Sequence, residues 1–175
     1  DLAKFYEAEK KKGNPHPMDV PLIWAISQKC YEVGNGNFSE TEELKQLIKK
    51  SFRQRANTLT NIIYNSSGED RIIHNFQTKD EYYLSENLVG PSGFILKFSD
   101  WNILNKLLGI NESIKIDEKS QMINGTNFYI WRKDSKPEIS DERVAWFNAD
   151  ENRLGISCSR LPFKEYPALR VLKID

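Results

Sequence analysis

The spacing of apolar residues changes period near residue 55. Before it, Val20, Ile23, Trp24, Ser27 and Tyr31 fall on one helical stripe, and Leu22 and Ile26 widen it, so a helix buried on most sides is expected. Asp19 stands where a side-chain oxygen caps such a helix, and Pro21 sits in its first turn, where no N–H is needed. Gly34 and Gly36 end it. The next helix opens with the capping-box sequence Ser39-Glu40-Thr41-Glu42 and carries Leu44, Leu47, Ile48 and Phe52 on one stripe. Ahead of both, Leu2 to Lys12 reads as a charged helix stopped by Gly13-Asn14-Pro15.

After residue 57 the period is two. Leu59 to Tyr64, a turn at Asn65-Ser66-Ser67-Gly68, and Arg71 to Phe76 predict a hairpin. Further strands are expected at Phe94–Phe98, Phe128–Trp131, Arg143–Ala149, Leu154–Arg160 and Ala168–Ile174. A short helix capped by Ser99 and closed by Gly109 carries Trp101, Leu104, Leu107 and Leu108. Asp150-Glu151-Asn152-Arg153 is short enough to join its two flanking strands as a hairpin. The sum is α+β, with N-terminal helices packed on a mostly antiparallel, irregular C-terminal β region. The change of period divides the chain into a helical extension over 1–56 and an α+β ligand-binding domain over 57–175, or leaves one continuous domain.

A chain of 175 residues can bury a core without metal or disulfide staples. Its 25 basic and 25 acidic residues cancel, which removes the global field a nucleic-acid binder uses. One local basic feature remains: Lys45, Lys49, Lys50, Arg53 and Arg55, with Arg71 in the following hairpin. It reads as a solvated helix face or as the phosphate-binding patch of a nucleic-acid-associated accessory domain. No run approaches the roughly 20 apolar residues of a membrane span. No signal peptide is visible, so cytoplasmic and phage- or cell-surface-associated locations both fit. Cys30 and Cys158 lie far apart in apolar stretches, as two reduced buried thiols or one long-range bridge. Glycosylation triplets at Asn37, Asn65, Asn111 and Asn124 are what chance gives in so asparagine-rich a chain.

The search for catalytic sets finds none. No glycine-rich phosphate loop precedes a helix, and neither His16 nor His74 has a companion at metal-ligand spacing. His74 alternates with Ile73 as a polar strand residue. Asp117-Glu118-Lys119 lacks the upstream strand aspartate of metal-dependent nucleases. The expectation is a protein with no catalytic residue, no metal and no cofactor.

The last third carries more information. Along Leu154 to Arg160, Leu154, Ile156 and Cys158 point to one face and Gly155, Ser157 and Ser159 to the other. The first set belongs to the core, together with Trp131, Val144, Trp146, Leu169 and Val171. The second set is small and polar, beside Phe147, Asn148, Asp150, Asn152, Arg153, Arg160, Phe163 and Tyr166. Small polar residues mixed with aromatic and arginine anchors compose an adaptable binding surface, or an ordinary solvated sheet face. On the binding reading, Phe147, Arg153, Arg160, Phe163 and Tyr166 supply most of the energy.

The strand ending in Trp131, the Ala145-Trp146-Phe147 strand, a hairpin, and Tyr166 ahead of Arg170-Val171 follow in an order that resembles the C-terminal part of C-type-lectin-like domains. The resemblance spans about residues 127–175. It is to the bacterial major-paralogous-domain type and to the variable proteins of diversity-generating retroelements. It implies a twisted antiparallel core under an irregular surface that binds a protein or glycan partner without catalysis. In the retroelement proteins that surface is diversified. The matching positions here are Phe147, Asn148, Asp150, Asn152, Arg153, Gly155, Ser157, Ser159, Arg160 and Phe163, with Lys164 and Glu165 fixed. The chain lacks the Gly-Gly-x-Trp stretch and the Glu-Pro-Asn or Gln-Pro-Asp calcium pattern, so calcium-dependent sugar binding is not implied.

Overall fold

A computed structural model describes residues 11–12, 16–33, 39–53, 57–76, 79–85, 88–90, 94–95, 101–110, 116–161 and 170–171. In chain order the elements are β1 (His16–Pro17), α1 (Val20–Val33), α2 (Ser39–Arg53), β2 (Asn57–Tyr64), β3 (Asp70–His74), β4 (Asp80–Leu84) and β5 (Phe94–Ile95). Then come α3 (Trp101–Leu108), α4 (Ile116–Asn124), β6 (Phe128–Trp131), β7 (Asp141–Ala149), β8 (Leu154–Arg160) and β9 (Arg170–Val171). The fold is α+β.

Among the described residues, seven strands form one sheet in the order β4-β3-β2-β7-β8-β6-β5. Every neighbouring pair is antiparallel except β6 and β8. The hairpin return of β7 places β8 between β7 and the earlier strand β6, and that insertion creates the parallel pair. β1 and β9 pair separately, His16 opposite Val171 and Pro17 opposite Arg170.

Helix α1 starts where the sequence places its cap. The Asp19 carboxylate accepts the Leu22 N–H at 3.0 Å, and the Val20 N–H donates to the Thr60 hydroxyl at 3.0 Å, tying the helix start to β2. Trp24 meets Phe128 edge-on at 5.2 Å, and Phe52 stacks on Phe147 at 4.6 Å. These contacts set the helices against one sheet face and into one shared core. Ile23, Trp24, Ile48, Phe52, Ile103 and Leu107 fill it from the helices. Ile62, Ile72, Phe128, Phe147, Leu154, Ile156 and Cys158 fill it from the sheet. Each large aliphatic side chain buried there contributes about 1.5–3 kcal/mol.

At one end of this face the core becomes polar. Asp70 is fully buried and accepts from the Asn65 and Leu88 N–H groups and from Lys136 Nζ at 2.8 Å. Asp141 binds both Lys133 and Arg143. These ion pairs fasten the 132–140 connection between β6 and β7, and so fix the spacing of the two strands that flank β8.

Several expectations are corrected. Leu47 is 57% exposed rather than on the buried stripe, while Ile48 and Phe52 are buried. His74, expected as a polar strand residue, ends β3 and is buried, 3% exposed. β4 and α4 are elements that the spacing of apolar residues does not predict. β4 is an edge strand, so its DEYYL run is exposed on most positions and carries no clean alternation. In α4, Asp117 and Glu118 occupy the first helical turn, where carboxylates suit the dipole, and Asp117 accepts the Phe128 N–H at 3.0 Å. The acidic-then-lysine run is therefore a helix start. Cys30 and Cys158 are both free and buried.

Most of the expected helix over Leu2–Lys12, Gly34 and Gly36, the Ser39 side chain, residues 96–98 of one expected strand, and residues 168–169 and 172–174 of the last lie outside the described residues. Among the described residues, no helix is long and apolar enough to cross a membrane.

Candidate functional site

Strand β8 alternates as its sequence implies: Leu154, Ile156 and Cys158 enter the core, so Gly155, Ser157 and Ser159 project from the opposite face. Pairing then determines what stands beside them. Ser157 is in register with Trp131 of β6 on one side and Trp146 of β7 on the other. Gly155 is likewise flanked by Tyr129 and Asn148. Register partners share a face. Two rows, Trp131–Ser157–Trp146 and Tyr129–Gly155–Asn148, thus run across three adjacent strands.

Small residues on the central strand with large ones on both neighbours make a trough. Its volume is about 290 Å³, with Arg153 and Ser159 also in its lining. Trp131 is 41% exposed, and Tyr129 and Trp146 are half-buried. The Ser157 and Ser159 hydroxyls lie 3.1 Å apart. Gly155 is required by packing, because a Cβ there would fall 2.1 Å from the Tyr129 carbonyl oxygen.

Arg153 is held by the turn that carries it. Its Nε donates to Asp150 Oδ2 at 2.8 Å, the Asn152 N–H donates to Asp150 Oδ1 at 2.9 Å, and the Asp150 N–H donates to the Arg153 carbonyl at 2.9 Å. Asn124 Nδ2, at the end of α4, donates to the carbonyls of both Asp150 and Arg153. The Arg153 side chain and the Asn152 N–H keep the Asp150 carboxyl below its ordinary range. The ion pair is compensated in place, and the remaining guanidinium nitrogens retain donors.

The lining residues among those described include no carboxylate, histidine or cysteine. The Ser157 and Ser159 hydroxyls pair with each other, and no described residue of the lining is a base placed beside them. The trough lining combines three aromatic rings with the Asn148 amide, the serine hydroxyls and the Arg153 guanidinium. Among the described residues no three His, Cys, Asp or Glu side chains are grouped to hold a metal.

Of the residues expected to contact a ligand, Asn148, Arg153, Ser157 and Ser159 line the trough. Asp150 stands behind Arg153, and Asn152 is exposed at the hairpin tip. Phe147 is a correction: it is 1% exposed, in register with Ile156, and faces the core. Trp131 and Trp146 are corrected in the opposite direction, from core to trough. Along β7 both parities carry large apolar residues, so the sequence of that strand does not choose between them. The clean alternation of β8, carried across by the register, is the signal that would have. Gly155, placed among diversified positions by resemblance, has no room for a side chain. The Arg160 side chain, Phe163 and Tyr166 lie outside the described residues.

The basic helix face is described only in part, since the Lys45 side chain and Arg55 lie outside the described residues, while Lys50 and Arg53 are exposed. Arg71 is engaged elsewhere, 2.7 Å from Glu81 and over the Tyr83 ring. These features define an α+β protein with an aromatic trough on the sheet face opposite the described helices α1 and α2. No family model matches the chain, and neither the curated proteins nor the solved structures give a match.

Proposed function

We propose that the chain is a non-enzymatic ligand-binding domain of the C-type-lectin-like kind, akin to the major-paralogous-domain type and to retroelement variable proteins. It presents the outward side chains of β6, β7 and β8 to a protein or glycan partner. One observation carries the reading: Ser157 sits in register between Trp131 and Trp146, so small and aromatic residues gather on the face opposite the one that α1 and α2 pack on.

Support comes from the division of labour within single strands. Leu154, Ile156 and Cys158 hold the core, and their immediate neighbours Ser157 and Ser159 do not enter it. Substitutions at exposed positions such as Arg153 usually change stability by no more than about 0.5 kcal/mol, whereas Ser157, at 6% exposed, varies only within the space that Trp131 and Trp146 leave.

Sequencing the stretch of the gene that encodes residues 127–175 across a population of the source organism tests this. Substitutions are expected at Asn148, Arg153, Ser157 and Ser159, with Leu154, Gly155, Ile156 and Cys158 constant, and with a near-copy of the segment beside a reverse transcriptase gene. Substitutions spread evenly over both parities of β8, with no such copy, overturn it.

A further inference from the structure

We infer that Asn124 is a deamidation site whose side-chain amide latches the β7–β8 turn. The folded chain shields that amide, and its conversion to aspartate releases the turn. The end of α4 supplies the first observation. Gly125 follows the last helical residue with φ +75°, and its N–H donates to the Gln121 carbonyl at 2.8 Å. This is the left-handed cap of a helix, which glycine adopts without strain. A Cβ at Gly125 would meet nothing within 4 Å, so conformation rather than space demands the glycine.

Asn124 has a separate task. Its Nδ2 donates to the Asp150 carbonyl at 2.9 Å and to the Arg153 carbonyl at 3.1 Å, 26 and 29 residues further along the chain. Thr126 Oγ1 accepts from the same nitrogen at 3.2 Å. The amide thus bridges both ends of a turn whose own closing bond runs from the Asp150 N–H to the Arg153 carbonyl at 2.9 Å. The helix end needs glycine, and the turn needs an amide one residue earlier. The fold therefore places Asn directly before Gly, the pairing in which no side chain hinders the following backbone nitrogen.

That nitrogen is the nucleophile of deamidation. Gly125 N attacks Asn124 Cγ, the N–Cγ bond forms, the Cγ–Nδ2 bond breaks, and ammonia leaves with the proton that Gly125 gives up. Water then opens the succinimide ring at either carbonyl, which yields aspartate or isoaspartate and releases a proton. In the folded chain both reactants are committed, Gly125 N–H to Gln121 and Asn124 Nδ2 to the turn. Neither turns toward the other unless those bonds break. The product cannot restore them, because an ionised carboxylate only accepts and would face two carbonyl oxygens.

The test follows the intact chain in neutral buffer and in guanidinium, read over time by peptide mass spectrometry at Asn124. Asn35-Gly36, the other Asn-Gly pair of the sequence, reports that the reaction runs in denaturant. Conversion at Asn124 should be about tenfold slower in the folded chain, the effect of one or two net hydrogen bonds holding the site closed. Asn124→Asp should lower the melting temperature by about 4 °C. It should also speed hydrogen exchange at the Asp150 amide by about tenfold more than at the Leu59 amide, which is bonded to the Met18 carbonyl. Equal conversion rates in the folded and unfolded chain overturn the inference. So does an Asn124→Asp chain that melts with the parent, or one in which exchange at Asp150 and Leu59 quickens equally. The rate comparison uses the unaltered sequence, so it decides the matter even where the aspartate variant does not fold. No ligand enters these measurements, so their failure leaves the ligand-binding reading where it stands.

Discussion

Phe147 of β7 stacks on Phe52 of α2, with centroids 4.6 Å apart and ring planes 26° from parallel. The contact joins a helix to a central strand of the sheet. The next residue back along β7, Trp146, faces the opposite way, into the trough. One peptide bond therefore separates a core anchor from a candidate contact residue.

This contrast predicts the outcome of truncation. Phe147→Ala should cost about 3–5 kcal/mol, because it leaves a cavity under Phe52. Trp131→Ala, on the exposed face, should cost about 1 kcal/mol or less. Urea unfolding of the two variants beside the parent checks this. Equal losses, or the reverse order, would contradict the assignment of faces.

His74 predicts an acid sensitivity. Its Nε2 lies 2.8 Å from the Lys106 carbonyl, which can only accept, so Nε2 carries the hydrogen. Its Nδ1 then accepts from the Thr60 hydroxyl at 2.8 Å, while Thr60 Oγ1 accepts the Val20 N–H. The neutral ring is fully paired. Burial lowers its pKa, against the opposing pull of the Lys106 carbonyl, Asp19 and Asp80. The unfolded chain thus takes up a proton near pH 6.5, and the folded protein only at lower pH. Stability from this group is complete above about pH 6.5 and is lost as pH falls below it. Asp19, whose carboxyl burial raises, acts in the opposite sense above its ordinary value. Urea midpoints measured from pH 8 to pH 5 should fall for the parent and flatten in His74→Gln. Parallel profiles would remove His74 as the cause.

The cysteines predict inert thiols. Burial pushes the Cys158 thiol up to about 12 and raises that of Cys30 as well. The thiolate is the reactive form, so both should resist a thiol reagent in the native protein. Both should react once the chain is unfolded without reductant. Detection of fewer than two thiols in denaturant would mean a disulfide instead.

How much of this was legible depended on how decisively each segment's pattern chose. Asp19 before an apolar stripe could only cap α1. Leu154 to Cys158 alternated so cleanly that the core face of β8 followed directly. In β7, Trp146 and Phe147 are both large and apolar, and only their partners across the ladder separate them: Ile156 opposite Phe147, and Ser157 opposite Trp146. The register also shifts between Val144 and Trp146, so counting from the strand start would not have found the phase. The edge strand β4, exposed on most positions, had no alternation to read.

By itself, the sequence determined the α+β class, the α1 cap, the β2–β3 hairpin and the inward face of β8, because these depend on local spacing and on chemistry within a few residues. Only the tertiary structure decided that Trp131 and Trp146 flank Ser157 across three strands. That arrangement arises from the insertion of β8 between β6 and β7, a pairing between segments remote in the chain, and no local pattern specifies which strand lies beside which.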